Sequence, residues 1–415
     1  MNTQEAWWNQ PALGLCNGDI HCFSPAIHFH VFWNSFSQVD ADRWMLTVSD
    51  KLSQISLFWG ELDGGGVAHV MITLAEEFLS RGIEVDIVVL AKEGELIEEL
   101  PTDAQLYDLK ADGLTESLPA LTRHLSKQHP PVLLSANPYL NRVAVLARLF
   151  AKVSTSIVIS EHSIRAIRSS RSKLPEWGVR RLTRWICTQA DRRIAVSKGV
   201  AIAAEKFIGV RFQRFDIIYN PVVGPKTFEL AEQSVDHSWF ADERPPVVLG
   251  TGRLVEEKGF STLLRAFAQV RKTRRARLVI LGEGEERPVL EQQAERLGVS
   301  DHVWMPGFVS NPMKYMADAE AFVLSSKSEG LGNVLVEAMA CGTPVVSTDC
   351  PGGPSEVLQG GKHGRLVPVE DPTALAMAIE EALNGQVPPA PRSALDRFRR
   401  GTVAEQYLKI LASVA

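Results

Sequence analysis

Three things are scarce in this 415-residue chain, and each scarcity excludes something. Cysteine is the first: five residues, an odd number without framework spacing, argue for a reducing compartment and against a disulfide scaffold. Long apolar runs are the second. No stretch reaches the roughly 18 uninterrupted apolar residues that a membrane-spanning helix needs. The run from Val143 to Val153 is shorter and contains Arg148 and Lys152, so it reads as a core helix. Excess positive charge is the third. Lys and Arg number 44 against 49 Asp and Glu, a formal net charge of −5, which disfavours a nucleic-acid partner. The chain is long for one core and comfortable for two α/β domains.

What is present is concentrated in the second half. Glu329 and Glu337 stand eight positions apart in the run Ser328-Glu329-Gly330-Leu331-Gly332-Asn333-Val334-Leu335-Val336-Glu337-Ala338. The first lies in a glycine-punctuated loop, the second a little over one turn into a helix buried through Val334, Leu335, Ala338 and Met339. Gly330 and Gly332 are read as letting backbone N–H groups approach a ligand, and the helix start favours an anion. Such a loop can hold a polyhydroxyl ligand with one acid and a second polar part with the other. Taken alone, the pair suits a solvated loop acid and a surface helix residue equally well. The neighbourhood tips the balance. Pro246 to Gly259 reads as a buried strand, a Gly turn and a helix start, which makes Arg253 and Lys258 loop cations suited to a diphosphate. Strands at Arg277–Leu281, near Val303, at Ala321–Ser325 and at Pro344–Thr348 alternate with helices, so ligand-type residues fall at strand C-terminal ends.

The half from Pro246 to about Asn384 resembles the donor domain of retaining glycosyltransferases of family four, which have the two-lobed GT-B fold: two Rossmann-like, doubly wound α/β domains facing across a cleft. The resemblance rests on Glu329-x7-Glu337, on the run from Gly252 to Gly259, and on Glu337-Ala338-Met339-Ala340-Cys341-Gly342-Thr343-Pro344-Val345-Val346, in that order and spacing. The loop Pro351-Gly352-Gly353-Pro354-Ser355-Glu356 is similar to the branch that builds bacterial surface glycans and lipid-linked oligosaccharides.

The first half opens with a strand at Gln54–Trp59, a Gly-rich turn at Gly60–Gly66 and an amphipathic helix. A dinucleotide fingerprint fails here, because His69 takes the third glycine position and Leu90-Ala91-Lys92 ends the next strand without an acid. In the resembled family the loop at Gly64, Gly65 and Gly66 faces the acceptor and the donor phosphates. A strand from Ser156 ends in Glu161-His162, where a histidine points toward a ligand crevice. The resemblance assigns His162 to the donor sugar; Ser163 stands where the family frequently has Asn. Asn220-Pro221 reads as the hinge between lobes.

Two stretches carry no family motif. Arg165, Arg168, Arg171, Lys173, Arg180, Arg181 and Arg184 are interleaved with Ile164, Ile167, Leu174, Trp177, Leu182 and Trp185. A solvated face is one reading; a basic amphipathic surface for anionic headgroups is the other, and the tryptophans favour it. The first 44 residues hold Trp7, Trp8, Trp33 and Trp44 without periodicity. Cys16, Cys22, His28 and His30 miss the usual zinc spacings, and no secretory signal pattern is present. We expect a disordered or misassigned extension over 1–50, with Met45 a plausible start. An acceptor-binding domain then covers 51–222, a nucleotide-sugar domain 223–395, and a helix at 396–415 returns to the first domain.

The resemblance implies a retaining transfer from a nucleotide diphosphate sugar, UDP first, to a glycan or lipid-linked saccharide. Arg253 and Lys258 stabilise the leaving diphosphate, Glu329 and His162 hold the sugar, and Glu337 accepts from the ribose. Backbone groups of Gly252, Gly330, Leu331, Gly332 and Asn333 line the donor, and Val309 meets the base through its backbone. No protein nucleophile, metal or other cofactor is expected, because the two cations supply the charge. A cytoplasmic location, peripheral to the inner membrane face through 165–184, follows. The rivals are a sugar-nucleotide epimerase on the same fold, a glycoside hydrolase built on the two acids, and a non-catalytic binding protein. Nucleoside diphosphate release that depends on acceptor excludes the first; product-anomer analysis with a non-nucleotide glycoside separates the second. Intact Arg253, Lys258, Glu329 and Glu337 argue against the third.

Overall fold

The computed structural model describes residues 52–60, 62, 65–111, 113–164, 176–209, 215–241 and 244–415. The N-terminal tryptophans, Cys16, Cys22, His28, His30, Gly64 and the basic residues from Arg165 to Lys173 lie outside them.

The first half is a seven-stranded parallel sheet. In chain order it contains β1 (Gln54–Trp59), α1 (Gly66–Leu79), β2 (Glu84–Val89), β3 (Gln105–Asp108), α2 (Leu114–Gln128), β4 (Val132–Ala136), α3 (Pro138–Ala151), β5 (Ser156–Glu161), α4 (Glu176–Gln189), β6 (Arg192–Ala195), α5 (Lys198–Ile208) and β7 (Asp216–Ile217). The strand order is β3-β2-β1-β4-β5-β6-β7. Strand β1 is buried from Ile55 to Trp59, the continuous apolar run of a strand covered by helices on both faces.

After α6 (Pro225–Ala231), the second half gives β8 (Val247–Thr251), α7 (Phe260–Thr273), β9 (Arg277–Leu281), α8 (Arg287–Arg296), β10 (Val303–Gly307), α9 (Met313–Asp318), β11 (Ala321–Leu324), α10 (Asn333–Ala340), β12 (Val345–Thr348), α11 (Pro354–Val357), β13 (Arg365–Val367), α12 (Pro372–Leu383) and α13 (Arg400–Ala412). Its six strands are again parallel, in the order β10-β9-β8-β11-β12-β13. Helix α7 buries Phe260, Leu263, Leu264, Phe267 and Val270, an apolar stripe at helical spacing.

Both sheets reverse direction once, between β1 and β4 and between β8 and β11, and crevices for ligands open at such switch points. Helix α13 packs on α1, where Arg400 pairs with Glu76 at 2.9 Å and Tyr407 is fully buried. A bridge between Val223 and Arg399 ties the two points at which the chain passes between the sheets.

Candidate functional site

The loop after β8 is shaped by backbone bonds that leave its side chains free. Gly252 N–H donates to the Leu281 carbonyl, Leu254 N–H donates to the Glu283 carbonyl, and Leu254 is fully buried. Arg253 is thereby turned outward, exposed, with no side-chain partner among the described residues. One 3₁₀ turn later, at Gly259, φ is +65°, and a Cβ there would lie 2.1 Å from the Ser325 carbonyl oxygen. Only glycine allows this approach of the loop after β8 to the loop after β11.

That approach brings the predicted cation and acid together. Lys258 Nζ donates to Glu329 Oε1 at 2.6 Å, and Ser326 Oγ donates to the same oxygen at 2.6 Å. The Glu329 side chain is 10% exposed and the Lys258 side chain 21%, so the pair is screened far less than a surface ion pair. Glu329 Oε2 has no partner among the described residues and is the oxygen left for a ligand. Ser325 Oγ donates to the Lys258 carbonyl and Ser328 Oγ to Glu257, which completes a lattice between the loops. Sequence reasoning missed Ser326; no local pattern marks a serine that supports an acid three residues on.

Glu337 is the opposite case. It is half-buried on α10 and has no side-chain partner among the described residues, and burial pushes its carboxyl up to about 7. The Cys341 thiol one turn on is pushed up to about 12, by burial first and then by Glu337. A half-buried acid without a donor is poised for a ligand that brings hydroxyls. Val309, after β10, packs partly buried against an apolar cluster drawn from both halves, while its backbone N–H and C=O have no partner among the described residues.

From the first half, the end of β5 meets the Glu329 loop. A Cβ at Gly330 would lie 2.0 Å from the His162 carbonyl oxygen. The missing Cβ of Gly330 thus makes room for the His162 carbonyl. Gly332 has φ +87° at the cap of α10, and Leu331 is buried. Ser197 Oγ donates to the Gly330 carbonyl at 2.8 Å while capping α5 through Val200 N–H. Glu356 accepts from Gly199 N–H at 2.9 Å and from Tyr219. Asn220 Nδ2 donates to Asn333 Oδ1 at 2.8 Å, so the asparagine before Pro221 touches the first residue of α10. A Cβ at Gly66 would lie 3.8 Å from Asn333 Nδ2, which places the first glycine loop beside the same asparagine. Burial pushes the His162 imidazole down to about 4, and its Nε2 lies 3.0 Å from Ser160 Oγ. A neutral histidine thus stands beside the loop that carries the paired Lys258 and Glu329, with Glu337 on the following helix and Arg253 in the loop after β8 lacking side-chain partners among the described residues.

Two family models match this chain: Glycosyltransferase Family 4 over residues 64–223 and Glycosyl transferases group 1 over residues 233–399. The chain is 38% identical over 174 residues to the lipopolysaccharide core biosynthesis glycosyltransferase LpsE of Rhizobium meliloti, across 40% of this chain and 50% of that protein. It is 26% identical over 343 residues to a Campylobacter jejuni N-acetylgalactosamine-N,N'-diacetylbacillosaminyl-diphospho-undecaprenol 4-alpha-N-acetylgalactosaminyltransferase, across 80% of this chain and 90% of that one. It thus spans half the length of the first relative and nine tenths of the second. Among solved structures, Anabaena HepE in complex with UDP and glucose superposes with a TM-score of 0.70 at 22% identity, covering 87% of this chain and 100% of that one. At that identity the likeness shows the fold, two doubly wound lobes of GT-B type.

Proposed function

The chain belongs to glycosyltransferase family four, whose models its two halves match in order, and from that premise we propose a retaining, metal-independent transfer from a nucleotide diphosphate sugar. UDP is the first choice of nucleotide, since the HepE neighbour was solved with UDP and glucose. A hexose or N-acetylhexosamine moves to a glycan or polyprenyl-diphosphate-linked saccharide, as the names of the rhizobial and Campylobacter relatives suggest. The observation that carries the reading is the Lys258–Glu329 pair at the β8/β11 switch point, set against the end of β5.

The acceptor hydroxyl attacks the anomeric carbon from the face that the diphosphate leaves. The new C–O bond forms as the C–O bond to the diphosphate breaks, and the acceptor proton passes to a leaving phosphate oxygen. Lys258 and Arg253 stabilise the charge that grows on the diphosphate, a role fixed positive charge fills without a divalent ion. Glu329 Oε2 accepts from a sugar hydroxyl, Glu337 accepts from the ribose, and Val309 meets the base through its backbone. The glycine loop at Gly64, Gly65 and Gly66 faces the acceptor and phosphates. Lys258 is already half-committed to Glu329, so binding of the diphosphate redistributes an existing pair instead of desolvating a free cation.

Helix α4 supports a membrane-facing role. Trp177, Arg180, Arg181, Arg184 and Trp185 are all exposed, at the spacing of one helical stripe, and 177–189 contains no acid. Such a stripe suits the anionic headgroups of the inner membrane face. No helix among the described residues is long and apolar enough to cross a membrane.

A thermal-shift screen over UDP-, GDP- and ADP-sugars tests the donor, followed by an assay of nucleoside diphosphate release with and without a lipid-linked saccharide. Release that ignores the acceptor, or stabilisation by none of the three nucleotides, overturns the reading. Activity that disappears with EDTA and returns with a divalent ion overturns metal independence.

A further inference from the structure

Strand β5 uses its two faces differently. Ile157 and Ile159 enter the core beneath α2, α3 and α4, whereas Ser156 and Ser160 turn toward α13, the helix that returns from the second half. Ser156 Oγ donates to the Val414 carbonyl, and Ser160 Oγ lies 3.4 Å from the Tyr407 hydroxyl. The last helix therefore runs along the back of the strand that ends in His162. Ser160 and Tyr407 are both 0% exposed, so neither hydroxyl can turn to bulk water.

The proton inventory of this contact has one arrangement that uses both buried hydroxyl protons, those of Ser160 and Tyr407. Among the described residues the Tyr407 hydroxyl has Ser160 Oγ as its single hydrogen-bond partner, so the phenol donates to it. The serine proton is then directed to His162 Nε2, 3.0 Å away, which must be bare to accept it. The imidazole proton sits on Nδ1, an atom without a partner among the described residues. The reverse direction, Nε2–H to Ser160 to Tyr407, strands the phenolic proton of a fully buried residue, and having both protons on Ser160 Oγ strands the serine proton instead.

We propose that Tyr407, acting through Ser160, is a positioning residue that holds His162 in the Nδ1-protonated tautomer, so that the ring offers a hydrogen-bond donor to the donor sugar. This rests on the assignment of His162 to the sugar made above. The C-terminal helix is then part of the transfer site, although it follows the second sheet in the chain. A neutral ring at working pH is consistent with it, since burial keeps the imidazole from taking a second proton.

The tautomer can be read directly. Nitrogen-15 NMR of the full chain with labelled histidine rings, the His162 signals identified by their loss in His162→Gln, should show Nε2 as the bare nitrogen. In Tyr407→Phe and Ser160→Ala the proton should redistribute over both nitrogens. Turnover should fall roughly three- to tenfold in both, the effect of one neutral hydrogen bond, with donor KM held; Tyr407→Phe should keep its melting temperature, whereas Ser160→Ala, which strands the phenol, should melt lower. Ser160→Thr should keep the wild-type tautomer and rate. A wild-type ring protonated on Nε2, or an unchanged tautomer in both Tyr407→Phe and Ser160→Ala, overturns the proposal. His162→Ala with wild-type turnover would overturn the sugar assignment instead, and the NMR result distinguishes the two failures.

Discussion

The two sheets end in loops at equivalent switch points, yet the loops are held in different ways. In the second half, the loops after β8 and β11 are bound to each other by Lys258–Glu329, Ser326–Glu329, Ser328–Glu257 and Ser325 to the Lys258 carbonyl. In the first half, the described part of the loop after β1 is tied to its neighbour by backbone alone, Leu90 N–H donating to the Gly60 carbonyl and Leu96 N–H to the Leu62 carbonyl, and His162 is supported from behind by Ser160. One side is a cage of charged and hydroxyl side chains; the other is held by backbone bonds. A nucleotide diphosphate always has the same shape and rewards a prebuilt site, whereas an extended saccharide is better met by loops that can adjust.

The strongest way to break this contrast is to remove the cage's charge. Lys258→Ala should lower turnover by roughly 10²–10³-fold, the scale of losing one preorganised donor to a developing anion. Donor affinity should change far less. Arg253→Ala should act in the same direction. Steady-state kinetics decide the matter: equal losses in affinity with unchanged turnover would leave both cations a binding role only.

The two carboxylates sharpen it next. Glu329→Ala should abolish discrimination between sugars while bare nucleoside diphosphate binds nearly as before. Glu337→Ala should weaken both by roughly ten- to a hundredfold, the range for hydrogen bonds to a charged group. Calorimetry with the bare nucleotide separates the two, and indistinguishable mutants would show that the assignment to opposite ends of the donor is wrong.

A smaller effect follows from the Glu337 carboxyl at about 7. A ribose needs the ionised form as acceptor, so nucleotide affinity should rise with pH from 6 to 8, and Glu337→Gln should flatten that slope. Stability should move the other way. The folded carboxyl lies above its ordinary value, so its contribution is full at low pH and is lost as pH rises through about 7. Ligand-free Glu337→Gln should therefore melt higher than wild type at pH 8 and alike at pH 4. An unaltered pH slope in the variant would remove Glu337 from the ribose site.

The smallest expected change concerns the first half. A chain begun at Met45 should bind donor and transfer sugar within about tenfold of the full chain, roughly 1.4 kcal/mol of barrier. A larger loss, with altered tryptophan fluorescence, would mean that the preceding segment supplies part of the acceptor side.

Much of the second half was legible in the sequence because its chemistry is local. Strands at Gln54–Trp59 and Arg277–Leu281 are apolar runs between turn residues; Lys258 and Glu329 sit in loops that such runs define, and Glu337 on the helix that follows. Short edge strands carry no such signal: β3 and β7 are only partly buried, and β7 is two residues long. The contacts between halves were illegible for a different reason. Glu356 meets Gly199 across 157 positions and Ser160 meets Tyr407 across 247, and no periodicity joins residues so far apart. Asn220 was read as a hinge from its proline neighbour alone; its bond to Asn333 is a fact of folding in three dimensions.

The return of α13 to β5 also sets the timing of the protein's birth. A ribosome that has finished His162 must still add the whole second lobe before Tyr407 emerges, a separation of 247 residues from Ser160. At about 5–20 residues per second this delay is roughly 12–50 s. During that time the nascent chain carries its nucleotide cage progressively completed and its histidine unsupported. Full transfer rate should therefore be reached only after α13 has docked on β5.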